Sequence, residues 1–487
     1  MAKLKVLYVA SEAAPLVKTG GLGDVAGALP AALAGLGHEV SLVTPAYQQI
    51  DKSAFTPVNM EGASAWAGQD WPIEAWQGEI NGVHVYLLGS PPLFQRSGLY
   101  ADHYGDYPDN LARFSFFNRA IIKLCQALEL TFDILHVNDW QSALLPAILT
   151  TGATTPTPLN DACKVLTIHN LAYQGIYPAN EYYLTGLPTH FFQMEGIEYY
   201  GNLSLLKAGI VCSDAINTVS PTYAEEIKTP ELGHGMDGIL RKRAAVLSGI
   251  INGADYSIWS PEQDPFIPAN YWPGRFKPKK LCRNTLLDEL NLLAVENQPV
   301  LGMVGRIAWQ KGIDIMVPAL SQLLSEEDFR VVLLGSGDTH YEHMLQNMAD
   351  EYPGKVCLIT QFSEKLAHLI QAGSDMLLMP SLYEPCGLSQ LYALRYGTIP
   401  IVHATGGLKD TIEDYDEASR QGTGFKFNDY DVQALLWALK RAFVFFQKPR
   451  IWQGIMKNAM TRDFSWDKSA LQYVDMYERY LNKPRGD

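Results

Sequence analysis

What this chain has little of narrows its function first. Across 487 residues no apolar run approaches the ~18 residues that a bilayer-crossing helix needs. The first apolar segment stops at Ala10, ahead of Glu12, which reads as too short for a secretory signal. The six cysteines, at 125, 163, 212, 282, 357 and 386, make no C-x-x-C pair, and several lie in apolar runs that read as strands. Reduced thiols in a cytoplasmic protein are the expectation. Positive charge is also short, with 38 Lys and Arg against 52 Asp and Glu, and a net charge of −14 argues against nucleic acid and membrane surfaces as partners. A polyanionic ligand must then be held by local cations, so single Lys and Arg residues in Gly-rich loops become informative. Metal signals are missing too: there is no H-E-x-x-H, no Cys/His cluster and no P-loop. Asp414-Tyr-Asp416 and Asp429-Tyr-Asp431 match a loose D-x-D pattern, but neither follows a strand. One lies in an acidic loop and the other reads as a helix cap, so no metal is expected.

What is present is a globular composition, 47% hydrophobic and 18% charged, in a chain long enough for two or three domains. Strands alternate with helical stretches almost throughout, the pattern of α/β units with parallel sheets. A first series of strands is expected at residues 6–10, 37–43, 83–88, 133–137, 164–168, 215–219 and 246–251, with a Trp-rich insertion after the second. A polar, Pro-rich stretch at 261–278 reads as a linker. A second series follows at 299–305, 330–334, 356–360, 375–379 and 398–403. A last helix opens at Ser465-Trp466, with Ala470, Tyr473, Val474, Tyr477, Tyr480 and Leu481 on one face that must pack against something. The expected division is 1–255, 256–464 and 465–487.

Residues 5–33 join a strand, a long Gly-rich bend and an Ala-rich helix. The glycines leave N–H groups free at a helix N-terminus beside Lys18, a ready anion site. Such turns also occur as plain connections. The match to a dinucleotide fingerprint is poor, because the turn is long and the second strand ends in Thr44-Pro45 rather than an acid. Thr19-Gly-Gly-Leu-x-Asp24 recurs as Thr405-Gly-Gly-Leu-x-Asp410, again between a strand and a helix.

In open parallel sheets ligands sit beyond the carboxyl ends of the strands. The first half offers Lys18, Asp139 and His169 there. The second offers Arg306 and Lys311, then a loop at 381–390 carrying Glu384. Two cations beside a helix opened by Cys386-Gly387-Leu388-Ser389 can hold a diphosphate, while Glu384 suits sugar hydroxyls. Asp139 and His169 can equally be caps or satisfied strand-end residues. His136, inside a strand, reads as a core histidine, and no base accompanies Cys386 in the local sequence.

Lys18-Thr-Gly-Gly-Leu22, His136-x-Asn-Asp-Trp140, Thr167-Ile-His-Asn-Leu-Ala-Tyr-Gln-Gly175, Gly305-Arg306 with Lys311-Gly312, and Glu384-Pro-Cys-Gly-Leu-x-Gln390 closely resemble the bacterial glycogen synthase and plant starch synthase family. The matches run in order from residue 6 to about residue 466. The resemblance implies a GT-B fold: two Rossmann-like parallel-sheet domains facing across a deep cleft, with a C-terminal helix crossing back to the first. It implies an ADP-glucose donor, an α-1,4-glucan acceptor and retention of configuration without metal or pyridoxal phosphate. Carried over residue by residue, Lys18, Gly20, Gly21 and Asp24 approach the donor. Arg306 and Lys311 bind the diphosphate with Cys386, Gly387, Leu388 and Ser389. Glu384 holds the glucose ring, His169 with Asn170 lies near the anomeric centre and 6-hydroxyl, Asp139 orients donor and acceptor, and Phe362 sits near adenine. Trp140, Gln141, Tyr173 and Gln174 are acceptor-side candidates. Gln141 stands where many relatives have His, and Tyr392 where broader E-x7-E transferases have a second Glu. The rival readings are a UDP-sugar transferase acting on a small acceptor and an inactive glucan-binding scaffold.

Overall fold

A computed structural model describes residues 3–60, 64–66, 69–293 and 296–482. Parts of the expected Trp-rich insertion (61–63 and 67–68) and the last five positions of the expected C-terminal segment lie outside the described residues. Contacts divide the chain into two compact units. The first is Met1–Val219 with Ala224–Gly253 and Trp466–Asp487; the second is Ser220–Tyr223 with Ala254–Ser465.

The first unit is built on β1 (Lys5–Val9), β2 (Glu39–Pro45), β3 (Val83–Gly89), β4 (Ile134–Asn138), β5 (Cys163–Ile168), β6 (Ala215–Thr218) and β7 (Leu247–Gly249). These are parallel in the order β7-β6-β5-β4-β1-β2-β3. Val6 pairs with Ile134 on one side and Val40 on the other. Strands covered on both faces must be apolar throughout, and Val6, Leu7, Ile134, Leu135, Val165 and Leu166 are fully buried. One edge departs from the expected parallel pattern: Glu74–Ile80 runs antiparallel to β3 and pairs with Thr56–Val58. A short return inside the insertion can only add an antiparallel strand, since a parallel one needs a crossover.

Helix α1 (Gly21–Gly35) follows β1, and α2 (Asn110–Ala127) precedes β4. The second unit has a parallel sheet of β8 (Val300–Val304), β9 (Arg330–Leu334), β10 (Val356–Ile359), β11 (Met376–Met379), β12 (Ile399–His403) and β13 (Phe425–Phe427), in the order β10-β9-β8-β11-β12-β13. Helix α3 (Ser389–Tyr396) follows β11 and α4 (Gly406–Thr411) follows β12. The last helix, α5 (Trp466–Leu481), belongs to the first unit. Ala470, Tyr473, Val474 and Tyr477 are buried, whereas Tyr480 and Leu481 are only partly so.

The stretch at 261–278 is not a solvated linker. Tyr271 is fully buried and donates to the Tyr396 carbonyl at 2.8 Å; the buried Asp264 carboxylate meets His368 Nδ1 at 2.8 Å and Tyr396 OH at 2.5 Å. Its polar residues are spent on internal bonds, which composition alone hides.

Both sheets have a topological switch point. From β1 the chain moves to β2 on one side and later to β4 on the other; from β8 it moves to β9 and later to β11. The crevices beyond β1/β4 and β8/β11 are therefore where ligands bind in such sheets.

Candidate active site

In the first unit the loop after β1 is organised by a residue that sequence reading passed over. The Glu12 carboxylate is buried and accepts from the Thr19 N–H, from Thr19 Oγ1 at 3.1 Å, from the Gly20 N–H at 3.4 Å and from Tyr100 OH at 3.1 Å. Burial pushes its carboxyl above the ordinary value, although these bonds work the other way. Lys18 is exposed and its Nζ lies 2.8 Å from Asp24 Oδ1. The residues expected to meet a donor here are thus paired with each other, and Glu12 holds the loop from behind. Close packing explains two glycines: a Cβ on Gly23 would lie 2.4 Å from Lys18 Cβ, and one on Gly27 2.4 Å from the Ala14 carbonyl oxygen.

At the end of β4, Asp139 has φ +53°, the left-handed region that Asp and Asn tolerate best among residues with a Cβ. Its buried carboxylate accepts from the His169 N–H at 2.7 Å and from the Asn170 N–H. Burial pushes the Asp139 carboxyl up to about 7. His169 Nε2 is 2.9 Å from Asn138 Oδ1, and burial pushes the ring down to about 3. Asp139, His169 and Asn170 are therefore brought together at adjacent strand ends. His136 is a core residue, bonded to Tyr477 OH and Thr167 Oγ1 at 2.7 Å each.

The acceptor-side candidates divide. Gln141 and Gln174 are buried: the Gln141 carbonyl accepts from Asn118 Nδ2 at 2.8 Å, and Gln174 Nε2 donates to the His234 carbonyl at 2.9 Å. The Gln141 bond is made by its backbone, and the side-chain Oε1 atoms of both residues are buried. Trp140 packs edge-on to Phe114 at 4.9 Å and against Gly175, where a Cβ would lie 2.7 Å from its ring. Trp140 is partly exposed, and Tyr173 is half exposed.

In the second unit Lys311 Nζ is 2.6 Å from Glu384 Oε2, and Ser381 Oγ donates to the same oxygen at 3.1 Å. Arg306 is exposed on the loop after β8. Phe362 is exposed just beyond β10. The loop into α3 is shaped by Gly387 at φ +74° and by Gln390, whose Nε2 donates to the Cys386 and Gly387 carbonyls at 2.9 and 3.0 Å. No helical carbonyl precedes the opening of α3, so the N–H groups of Gly387, Leu388 and Ser389 have no intrahelical acceptor. Cys386 is buried, so its loop contributes backbone.

The recurring Thr-Gly-Gly-Leu has a different task here. The Gly407 N–H donates to the Glu384 carbonyl at 3.0 Å, and a Cβ on Gly406 or Gly407 would lie 2.0 Å from Glu384 O or 2.1 Å from Cys386 O. The second copy is a platform on which the Glu384 loop lies. Of the D-x-D pairs, Asp431 caps its helix by accepting from the Ala434 N–H at 2.8 Å, and Asp414 pairs with Arg441 at 2.8 Å. Among the described residues no three His, Cys, Asp or Glu side chains are grouped to hold a metal ion, and no helix is long and apolar enough to cross a membrane.

Residues 5–242 match the profile of the family described as starch synthase catalytic domain, and residues 289–443 that of glycosyl transferases group 1. A glycogen synthase of Anaeromyxobacter dehalogenans is 46% identical over 475 residues, covering 97% of this chain and 99% of its own. One from Syntrophotalea carbinolica is 42% identical over 483 residues, 98% and 99% of the two chains. The catalytic domain of starch synthase IV from Arabidopsis thaliana, solved bound to ADP and acarbose, superposes with a TM-score of 0.91 at 32% identity, over 99% of this chain and all of that one. Sucrose-phosphate synthase from Thermosynechococcus elongatus, at 18% identity and a TM-score of 0.61, shares the fold. Two Rossmann-like sheets, each with polar side chains gathered at its switch point, make this a glycosyltransferase of the GT-B fold. The chain belongs to the family of bacterial glycogen synthases and plant starch synthases.

Proposed function

We propose that this chain is a glycogen synthase: it transfers glucose from ADP-glucose to the non-reducing end of an α-1,4-glucan, releases ADP and retains the anomeric configuration. The observation that carries the reading is the Lys311–Glu384 pair at 2.6 Å, next to the opening of α3. One loop system there holds a cation for a diphosphate beside a carboxylate for sugar hydroxyls.

Breaking the anomeric C–O bond loads negative charge onto the departing diphosphate. Arg306, Lys311 and the N–H groups of Gly387, Leu388 and Ser389 stabilise that charge where it develops. Glu384 accepts from glucose hydroxyls while Ser381 and Lys311 hold its carboxylate in place. Lys18 leaves Asp24 to meet the donor, and Gly20 and Gly21 let the sugar approach the backbone. Asp139 and His169 orient the reacting groups, Asn170 assists them, Phe362 stacks on adenine and Tyr173 meets the glucan. No carboxylate is assigned to attack the anomeric carbon. The acceptor hydroxyl adds on the face from which the phosphate leaves, and that phosphate takes its proton. This chemistry asks nothing of a metal or pyridoxal phosphate, and a cytoplasmic setting supplies both substrates.

The test supplies ADP-[14C]glucose and glycogen and digests the product with β-amylase, which removes α-1,4-linked units from non-reducing ends. Label that enters polymer and leaves as maltose supports the reading. Label released as free glucose, or a glycosyl ester trapped on Asp139 or Glu384, contradicts it.

A further inference from the structure

The fully buried Asn138, which neither its charge nor its position in the motif marks for chemistry, is bonded on every side. Its Nδ2 donates to the Val9 carbonyl at 3.0 Å, and its backbone N–H donates to Ser142 Oγ at 2.7 Å. A carbonyl cannot donate, so the Val9 bond fixes which end of the amide is nitrogen. Asn138 Oδ1 is then an acceptor, and Tyr8 OH donates to it at 3.0 Å. His169 Nε2 is the second neighbour of that oxygen, at 2.9 Å. Two lone pairs cannot face each other at this distance without repulsion, so the ring nitrogen must carry the proton.

We propose that Asn138 is a positioning residue that locks His169 in the Nε2–H tautomer, so that its Nδ1 can only accept a hydrogen bond. The assignment passes from the acceptor-only Val9 carbonyl, through the amide, to the imidazole. A neutral ring is needed for it to hold, and burial, which pushes the His169 ring down to about 3, keeps it neutral. The consequence for transfer rests on the proposed function: a sugar hydroxyl that meets Nδ1 donates its proton to the ring, so His169 fixes that hydroxyl's orientation and cannot serve as an acid. Tyr8 keeps the amide oxygen from turning away, and its own ring lies edge-on to His136 at 4.7 Å.

The test reads the tautomer by 15N NMR of histidine-labelled protein, with the His169 signals identified among the eleven histidines by their loss in His169→Gln. The wild-type ring is expected to show a protonated Nε2 and a bare Nδ1, unchanged from pH 6 to 8. A protonated Nδ1, or an averaged pair, overturns the proposal. Asn138→Leu is expected to release the ring into a mixture of tautomers and to lower kcat about 10²-fold, the order expected when a reacting group is misplaced. Asn138→Asp keeps an acceptor in place and is expected to keep the Nε2–H form; an unchanged tautomer in the folded Asn138→Leu variant overturns the proposal. If Asn138→Leu does not fold, the wild-type spectrum alone decides. An Nε2–H ring in a protein that transfers nothing from ADP-glucose overturns the proposed function and supports this assignment.

Discussion

The carboxylate of Asp139 is bonded to the backbone of His169, with its Oδ1 2.7 Å from that N–H. Burial nevertheless lifts the carboxyl from 3.8 to about 7, and the Glu12 carboxylate adds to the rise. The folded protein then holds a proton on Asp139 between about pH 4 and pH 7, where the unfolded chain has released it. Stability from this group is therefore greatest at the acid end and falls as pH rises through that window. Asp139→Asn removes the dependence, and Asn tolerates φ +53°. Urea titrations at pH 5 and 8 are expected to show a smaller loss of stability with pH in Asp139→Asn than in wild type. If Asp139 orients the acceptor as proposed, wild-type turnover is expected to rise through about 7 as its carboxyl ionises. Equal pH slopes in the two proteins would contradict this account.

Lys311 and Arg306, the two cations proposed to hold the diphosphate, are expected to separate stability from catalysis. Lys311 is paired with the buried Glu384, whereas Arg306 is exposed. Lys311→Ala leaves the Glu384 carboxylate buried without its cation and is expected to cost about 3 kcal/mol of stability as well as turnover. Glu384→Ala, which strands Lys311, is expected to destabilise too. Arg306→Ala is expected to leave the melting temperature within a degree or so and to lower kcat by about 10²–10³. Calorimetry beside steady-state rates checks both; near-normal turnover in the Arg306 variant would refute the role proposed for it at the diphosphate.

Lys18 makes its ion pair with Asp24 at the surface, where such pairs are worth about 0–1 kcal/mol. Lys18→Ala is therefore expected to unfold at the wild-type temperature and to transfer glucose about 10²-fold more slowly. A large loss of stability would mean that Lys18 serves the loop and not the donor.

Glycines of the platform helix give a test that touches no proposed ligand contact. Gly407→Ala would bring a Cβ to 2.1 Å from the Cys386 carbonyl oxygen, whereas a Cβ at Gly454 meets nothing within 4 Å. Gly407→Ala is expected to displace the loop carrying Glu384 and raise the KM for donor, with kcat reduced. Gly454→Ala, inside a helix, is expected to stabilise by up to about 1 kcal/mol with unchanged rates. Equal kinetics in the two variants would remove the platform role.

The sheet strands were legible because a strand buried on both faces is a continuous apolar run; β9 falls on the residues read from sequence, Arg330–Leu334. The antiparallel edge at Glu74–Ile80 was not, because its exposure is mixed and no clean alternation survives. The polar stretch at 261–278 read as linker because sequence does not show that Asp264 is answered by His368 and Tyr396, 104 and 132 residues away. In the site, strand ends pointed to Asp139, His169, Arg306 and Glu384. Glu12, three residues past β1, lies beyond a strand end too, but nothing in the local sequence marks a carboxylate there as part of the Gly-rich bend. Its burial beneath the loop, bonded to N–H groups, is what makes it fit. Gln141 and Gln174 were acceptor-side candidates through the motifs they share with Trp140 and Tyr173; that both are buried is a matter of packing the sequence does not show.

The most direct measurement offers the protein equal concentrations of ADP-glucose and UDP-glucose with a maltoheptaose primer. Nucleotide release and primer length are followed together. The account predicts that ADP is released, that each ADP corresponds to one glucose added to the primer, and that UDP release is far slower. Release of UDP alone, or of ADP without primer growth, would contradict it.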